Sequence, residues 1–312
     1  MTVRTRIAAL GAGTFLLVGF VALVTVWAES DMKSQSIVLR SPAHHTKPFI
    51  FPAGGRELFP NYRLVALYGT PDDPALGALG EQPVDASIAR VKDLAAQYQP
   101  LMTEHALPTL EMIATVASGT PTDNGDYSYG IDSSKLQEWV NAAREAGVYT
   151  VLDLQPGRSD FLTQAKELEP LLEQPNVGLA LDPEWRLGPT QIPLAQIGSV
   201  NITEVNQTIQ WLSALTAQHK LPQKLLLLHQ FRLDTLPARD QLDTSRANLA
   251  YVIQMDGNGT QAAKLDTWRS IIAGVPVDVR LGWKNFYKVD SPMLDPAGTM
   301  AITPKPAYVS YQ

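Results

Sequence analysis

The chain has 312 residues, 45% hydrophobic and only 18% charged, which suits one large domain or two small ones with a substantial core. A net charge of −6 leaves no basic footprint for nucleic acid. The absence of cysteine excludes disulfides, thiolate metal sites and a cysteine nucleophile. Arg4 and Arg6 then precede an uncharged apolar run, Ile7–Trp27. At about 1.5 Å per residue such a run crosses a bilayer core, with the arginines on the cytoplasmic side and the remainder outside. Val26-Trp-Ala28 also reads as a cleavage site, so residues 1–28 are expected to be a signal anchor or a signal peptide. Either reading exports the domain, tethered to the membrane or released after Ala28. Residues 29–62, with Pro42, Pro48, Pro52, Pro60 and Gly54-Gly55, read as a stalk and irregular pre-barrel segment.

From residue 63 to 312, short apolar runs alternate with helical patterns. The expected strands are Leu64–Tyr68, Thr109–Val116, Tyr149–Leu154, Val177–Leu181, Lys224–His229, Leu249–Met255, Val277–Leu281 and Ala307–Tyr311. They are nearly continuously apolar, as strands covered on both faces are. Between them, helices are expected over Ala86–Met102, Ser133–Ala146, Asp160–Leu172, Thr203–His219 and Thr260–Ala273, with a less regular one around Leu236–Arg246. Asp132 offers a cap to the second and Gly147 a stop. Eight strands alternating with helices predict an α/β fold, a (β/α)8 TIM barrel. An open doubly wound sheet is the alternative. Leu67-Tyr-Gly-Thr-Pro-Asp-Asp73 has one glycine and no Gly-Lys-Ser/Thr, so neither a nucleotide nor any other cofactor is implied.

The stretch Val177-Gly-Leu-Ala-Leu-Asp-Pro-Glu-Trp185 carries the sharpest chemical signal. Alternation puts Gly178, Ala180, Asp182 and Glu184 on one face and Leu179 and Leu181 on the other. Small residues suit a crowded barrel interior, leucines suit outer helices, and the acids then emerge at the carboxyl end, where barrels keep their chemistry. Other strand ends add Tyr68, Thr115, Asp153, Gln155, His229, Gln230, Gln254, Asp256, Trp283 and Lys284. Acids, amides and aromatics on one rim suit a carbohydrate. Glycosidic cleavage needs a protonated acid and a second carboxylate. Glu184 is the expected general acid, tuned by Asp182, with Asp153 or Asp256 as the second carboxylate. Tyr68, Gln155, His229, Gln230, Gln254 and Trp283 are the expected substrate-binding residues. The bland alternative has Asp182 capping a turn and Glu184 pairing with Arg186. Glu111 and Asp278, inside strands, are set aside as pairs facing solvent or helices.

A strand-four Asp-x-Glu resembles two groups of barrel glycosidases, the chitinase-like enzymes and the barrel lysozymes. The chitinase-like pattern is Asp-x-x-Asp-x-Asp-x-Glu, and Asp182 and Glu184 match its last two acids. Ala180 and Val177 stand where the earlier aspartates belong. Of that group's Met-x-Tyr-Asp on strand six, Ile253-Gln-Met-Asp256 keeps only Asp256, and the tyrosine that helps hold an acetamido group is missing. The lysozyme resemblance lacks an acid on strand one. Residues 66–80 also resemble uncharacterised exported proteins of actinobacteria, which brings no activity with it.

Three functions are compatible with these residues. The first is an exported, membrane-tethered glycoside hydrolase acting on cell-wall or surface polysaccharide. The second is a non-catalytic barrel binding glycan or protein at the cell surface. The third is a metal-assisted hydrolase using Asp153, Asp182, His229 and Asp256. Five scattered histidines make that a poor donor set, so no metal is expected.

Overall fold

Continuously apolar strands need cover on both sides, and a ring closed between helices provides it without leaving an edge. The computed structural model describes residues 51–312 and contains such a ring. Its strands are β1 (Tyr62–Gly69), β2 (His105–Ala117), β3 (Ser128–Gly130), β4 (Tyr149–Leu154), β5 (Val177–Leu181), β6 (Lys224–His229), β7 (Leu249–Met255), β8 (Arg280–Asn285) and β9 (Tyr308–Tyr311). All are parallel except β3, a short antiparallel addition to the end of β2. β1 pairs with both β2 and β9, which closes an eight-stranded barrel.

The connections carry α1 (Val84–Tyr98), α2 (Ser133–Glu145), α3 (Phe161–Glu167), α4 (Glu169–Leu172), α5 (Ile202–Gln218), α6 (Gln261–Ile272) and α7 (Pro296–Met300). Asp132 caps α2 by accepting from the amides of Ser134 and Lys135, and Gly147 ends it with φ +71°. The expected TIM barrel is therefore present. The apolar run Ile7–Trp27 lies outside the described residues, among which no helix is long and apolar enough to cross a membrane.

Strand alternation sorts the side chains. Val65, Leu67, Leu152, Leu154, Leu179, Leu181, Leu226 and Leu228 face outward and pack with the apolar stripes of the helices. Leu64, Ala66, Leu107, Val151, Ala180, Leu225, Leu227, Val252 and Tyr308 fill the interior. Phe51 and Leu58 join that interior cluster, the Phe51 ring lying 5.4 Å from Tyr62 and 6.1 Å from Tyr149. The irregular segment before β1 thus closes the amino-terminal end of the barrel.

Three elements depart from expectation. The seventh barrel strand is Arg280–Asn285 rather than Val277–Leu281, because Val277 is 91% exposed and the inward parity runs through Gly282 and Lys284. The expected helix around Leu236–Arg246 is replaced by two single 3₁₀ turns, Leu233–Thr235 and Arg239–Gln241. Pro237 lacks the amide a helix needs, and Ala238 turns left-handed at φ +55°. Asp160–Leu172 breaks into α3 and α4 at Leu168, two residues before Pro170.

Gly178 marks how tightly the interior is filled. A methyl group there would lie 2.9 Å from Leu225 Cβ and 3.0 Å from the Tyr149 hydroxyl. Gly178→Ala should therefore destabilise the fold by about 1–3 kcal/mol in chemical denaturation, the ordinary cost of overpacking.

Candidate active site

At the end of β5 the chain leaves the barrel through Asp182 and a 3₁₀ turn, Pro183–Trp185. Pro183 fixes φ at the start of that turn, and the amides of Trp185 and Arg186 close back on the carbonyls of Asp182 and Pro183 at 3.1 Å. The Gly198 amide donates to the Glu184 carbonyl at 2.6 Å and anchors the turn from the next loop. Neither part of the bland alternative occurs. Asp182 makes no cap, and Arg186 pairs with Glu204 at 2.9 Å rather than with Glu184.

Asp182 and Glu184 instead meet Asp256, which lies just past β7. One oxygen from each of the three carboxyl groups lies within 4.8 Å of the other two. All three line a cleft of about 560 Å³ at the carboxyl ends of the strands, together with Tyr68, Gln155 and Lys284. Trp185, Phe231 and Phe286 supply aromatic wall.

Beneath the cleft floor lies a buried polar network. His229 donates from Nε2 to Glu111 Oε1 at 2.9 Å and stands 3.7 Å from Asp153 Oδ1. Its Nδ1 is 3.2 Å from Asp256 Oδ2, an ion-pair contact without hydrogen-bond alignment. The Tyr308 hydroxyl donates to Glu111 Oε2 and the Tyr68 hydroxyl to Asp153 Oδ2, each at 2.9 Å. The Lys284 ammonium sits 3.4 Å from the centroid of the Tyr68 ring.

The electrostatics follow from burial and crowding. Burial, and then the neighbouring Asp256 charge, push the Glu184 carboxyl up to about 7, against the pull of Lys284 and His229. Burial and the Glu184 charge push Asp182 well above the carboxylate range. Burial raises Asp153 as well, with Glu111 adding to it and His229 opposing. Burial alone would strip the proton from His229, but Asp153, Asp256 and Glu111 outweigh it and hold the ring as an imidazolium.

The expected residues thus divide. Glu184, Asp182, Asp256, Tyr68 and Gln155 reach the cleft. Asp153 and His229 lie below it, fully buried. Gln230 accepts from Arg239 behind the wall, and Gln254 donates to Ser310 inside the barrel. Trp283 points the other way. It packs edge-on against Trp268 on the outer face and donates to Asn285, because its strand neighbours Gly282 and Lys284 hold the inward positions. Glu111 is also corrected, since it faces the barrel interior rather than solvent or a helix, whereas Asp278 is exposed.

Sequence reasoning misses Glu111 and Tyr308 as site residues and places Lys284 at the rim without a role. Their signal is parity, each standing an even number of residues from an inward neighbour (Leu107, Ser310 and Gly282). Beyond Glu111, a bulge between Ile113 and Thr115 shifts the register of β2. Ala114 and Thr115 both turn outward there, and Val116 returns to the cleft.

No family model matches the chain, and no curated protein matches it. Among solved structures it is similar to a variant of an endo-β-N-acetylglucosaminidase from Cordyceps militaris in complex with fucosyl-N-acetylglucosamine-Asn. The identity is 11%, covering 80% of this chain and 81% of that one, with a TM-score of 0.33. At that score the match aligns no side chains, so residue roles rest on this chain's own geometry.

A carboxyl whose folded pKa is raised favours the folded state below its unfolded pKa, and that advantage disappears as pH climbs through the folded value. Glu184 therefore costs stability above pH 7. Glu184→Gln should raise stability by about 1–3 kcal/mol at pH 8 and leave it nearly unchanged at pH 4, measured by thermal or urea unfolding.

Proposed function

We propose that this barrel is a glycoside hydrolase in which Glu184 is the general acid and Asp256 the second carboxylate. One observation carries the reading: an open cleft holds a carboxyl pushed up to about 7 within 4.8 Å of two others. An acid with that pKa keeps its proton near neutrality yet can release it to a leaving oxygen. Asp256 is the better nucleophile of the remaining pair. Its Oδ2 lies 3.2 Å from Nδ1 of the His229 imidazolium, whereas burial and the Glu184 charge push the Asp182 carboxyl up. Carboxyl groups about 5–5.5 Å apart belong to retaining enzymes, and wider spacing to inverting ones, so the close trio supports retention.

In the first half-reaction Glu184 gives its proton to the glycosidic oxygen as the C1–O bond breaks, and Asp256 adds to C1. In the second, Glu184 takes a proton from water, and the resulting hydroxide displaces Asp256. Asp182 accompanies Glu184 at the cleft, its own carboxyl raised by burial and by the Glu184 charge. Asp153, His229 and Glu111 are positioning residues below the floor. Tyr68, Trp185, Phe231 and Phe286 offer ring faces of the kind that stack on sugars. The apolar run Ile7–Trp27 supports export, which would bring the cleft to cell-wall or surface polysaccharide. N-terminal sequencing of the mature protein distinguishes an anchor from cleavage after Ala28.

Release of reducing ends from a panel of cell-wall and capsular glycans tests the hydrolase reading. kcat/KM should fall on the alkaline side with a midpoint near pH 7, where Glu184 loses its proton. Glu184→Gln should lower it by about 10²–10⁴. Asp256→Asn removes a charge that raises Glu184, so any residual activity should lose its alkaline limb at lower pH. Full activity in Glu184→Gln would refute the assigned role.

A further inference from the structure

We propose that the floor of the cleft recognises a protonated amine, so that the glycan taken carries free amino sugars rather than fully N-acetylated ones. The proposal rests on the glycosidase reading and adds the class of substrate. Asp182, Glu184 and Asp256 each present an oxygen within 4.8 Å of the other two. Two N–H···O hydrogen bonds of about 2.9 Å from one nitrogen, at a tetrahedral angle, end on oxygens roughly 4.7 Å apart. Asp182 and Asp256 are close enough to share one ammonium.

A second observation points to a ligand. Asp182 is 3% exposed and the Asp256 side chain 6%, yet Oδ1 of each has no hydrogen-bond partner among the described residues. Buried polar atoms are ordinarily paired, so two unpartnered acceptors on residues that line the cleft ask for a donor that the protein does not supply. An ammonium supplies three donors and no acceptor. The protein's own cations do not answer the need. His229 is engaged by Glu111 and by Asp256 Oδ2, and Lys284 lies against the rings of Tyr68 and Phe286. Those same cations disfavour a divalent metal, which would bring a double positive charge beside them. In this arrangement the amine takes Asp182 and Asp256, and Glu184 keeps its proton for the glycosidic oxygen.

The test is calorimetric binding to full-length Glu184→Gln protein, which cannot cleave under the hydrolase reading. The probes are hexamers of glucosamine and of galactosamine, each beside its N-acetylated counterpart. At least one amine hexamer should bind ten times or more tighter than its N-acetylated form. Adding Asp256→Asn or Asp182→Asn, with folding checked by circular dichroism, should remove that preference. Equal or tighter binding of the N-acetylated hexamers overturns the proposal, and their cleavage by the wild type would leave the hydrolase reading standing. Tight amine binding with no cleavage by the wild type upholds the proposal and removes the hydrolase reading. Failure of every hexamer to bind overturns it. So does displacement of the amine by Mg²⁺, Ca²⁺, Mn²⁺ or Zn²⁺, since the floor would then be a metal site.

Discussion

Five carboxyl groups converge on the mouth of this barrel, and the cationic side chains that stand among them are His229 and Lys284. Water reaches little of this arrangement, so charge that is not paired has to be neutralised by protons or by a ligand. Asp182 and Glu184 sit on the proton side of that balance, and Asp256 lies against the imidazolium. A carboxyl that keeps its proton, beside a second carboxyl that lies against a cation, is what the proposed acid-assisted displacement requires. The proposed chemistry thus emerges from a shortage of positive charge rather than from any one residue.

The fold enforces this shortage. Eight strands bring their inward side chains to one axis, and inward positions toward the carboxyl ends of β2, β4, β6 and β8 are held by Glu111, Asp153, His229 and Lys284. Pro183 ends β5 with a turn that keeps Glu184 at the cleft instead of letting it swing into solvent. Below, Phe51 and Leu58 seal the opposite end, leaving the polar network no outlet but the cleft. His229 therefore works from underneath. It touches three carboxylates without lining the cleft, which separates its position from the substrate contact expected from its place at a strand end.

Much of the barrel is legible in the sequence because parallel strands covered on both faces are written as apolar runs, and five of the eight match within a residue at their ends. Asp182, Glu184 and Asp256 are legible for the same reason, as acids placed where such runs stop. Register is not legible. A bulge in β2 turns two successive residues outward, so counting alternate positions across it misplaces the residues beyond the bulge. In β8, Gly282 and Lys284 look like the end of a strand, yet they are its inward face, which sends Trp283 outward and leaves Lys284 without an expected role. Glu111 misleads because a charge inside a strand is ordinarily solvent-facing. Here a histidine from the far side of the ring and a tyrosine from β9 pair with it, and such contacts across a barrel leave no local mark in the sequence.

The proposed chemistry stands on the protonation state of Glu184. Carbon-13 NMR of protein labelled at the glutamate side-chain carboxyl carbon measures it directly, with Glu184→Gln identifying the signal. One glutamate should titrate near pH 7 and move to lower pH in Asp256→Asn. A Glu184 signal that titrates near the ordinary value of about 4.3, unmoved by Asp256→Asn, would contradict the general-acid role.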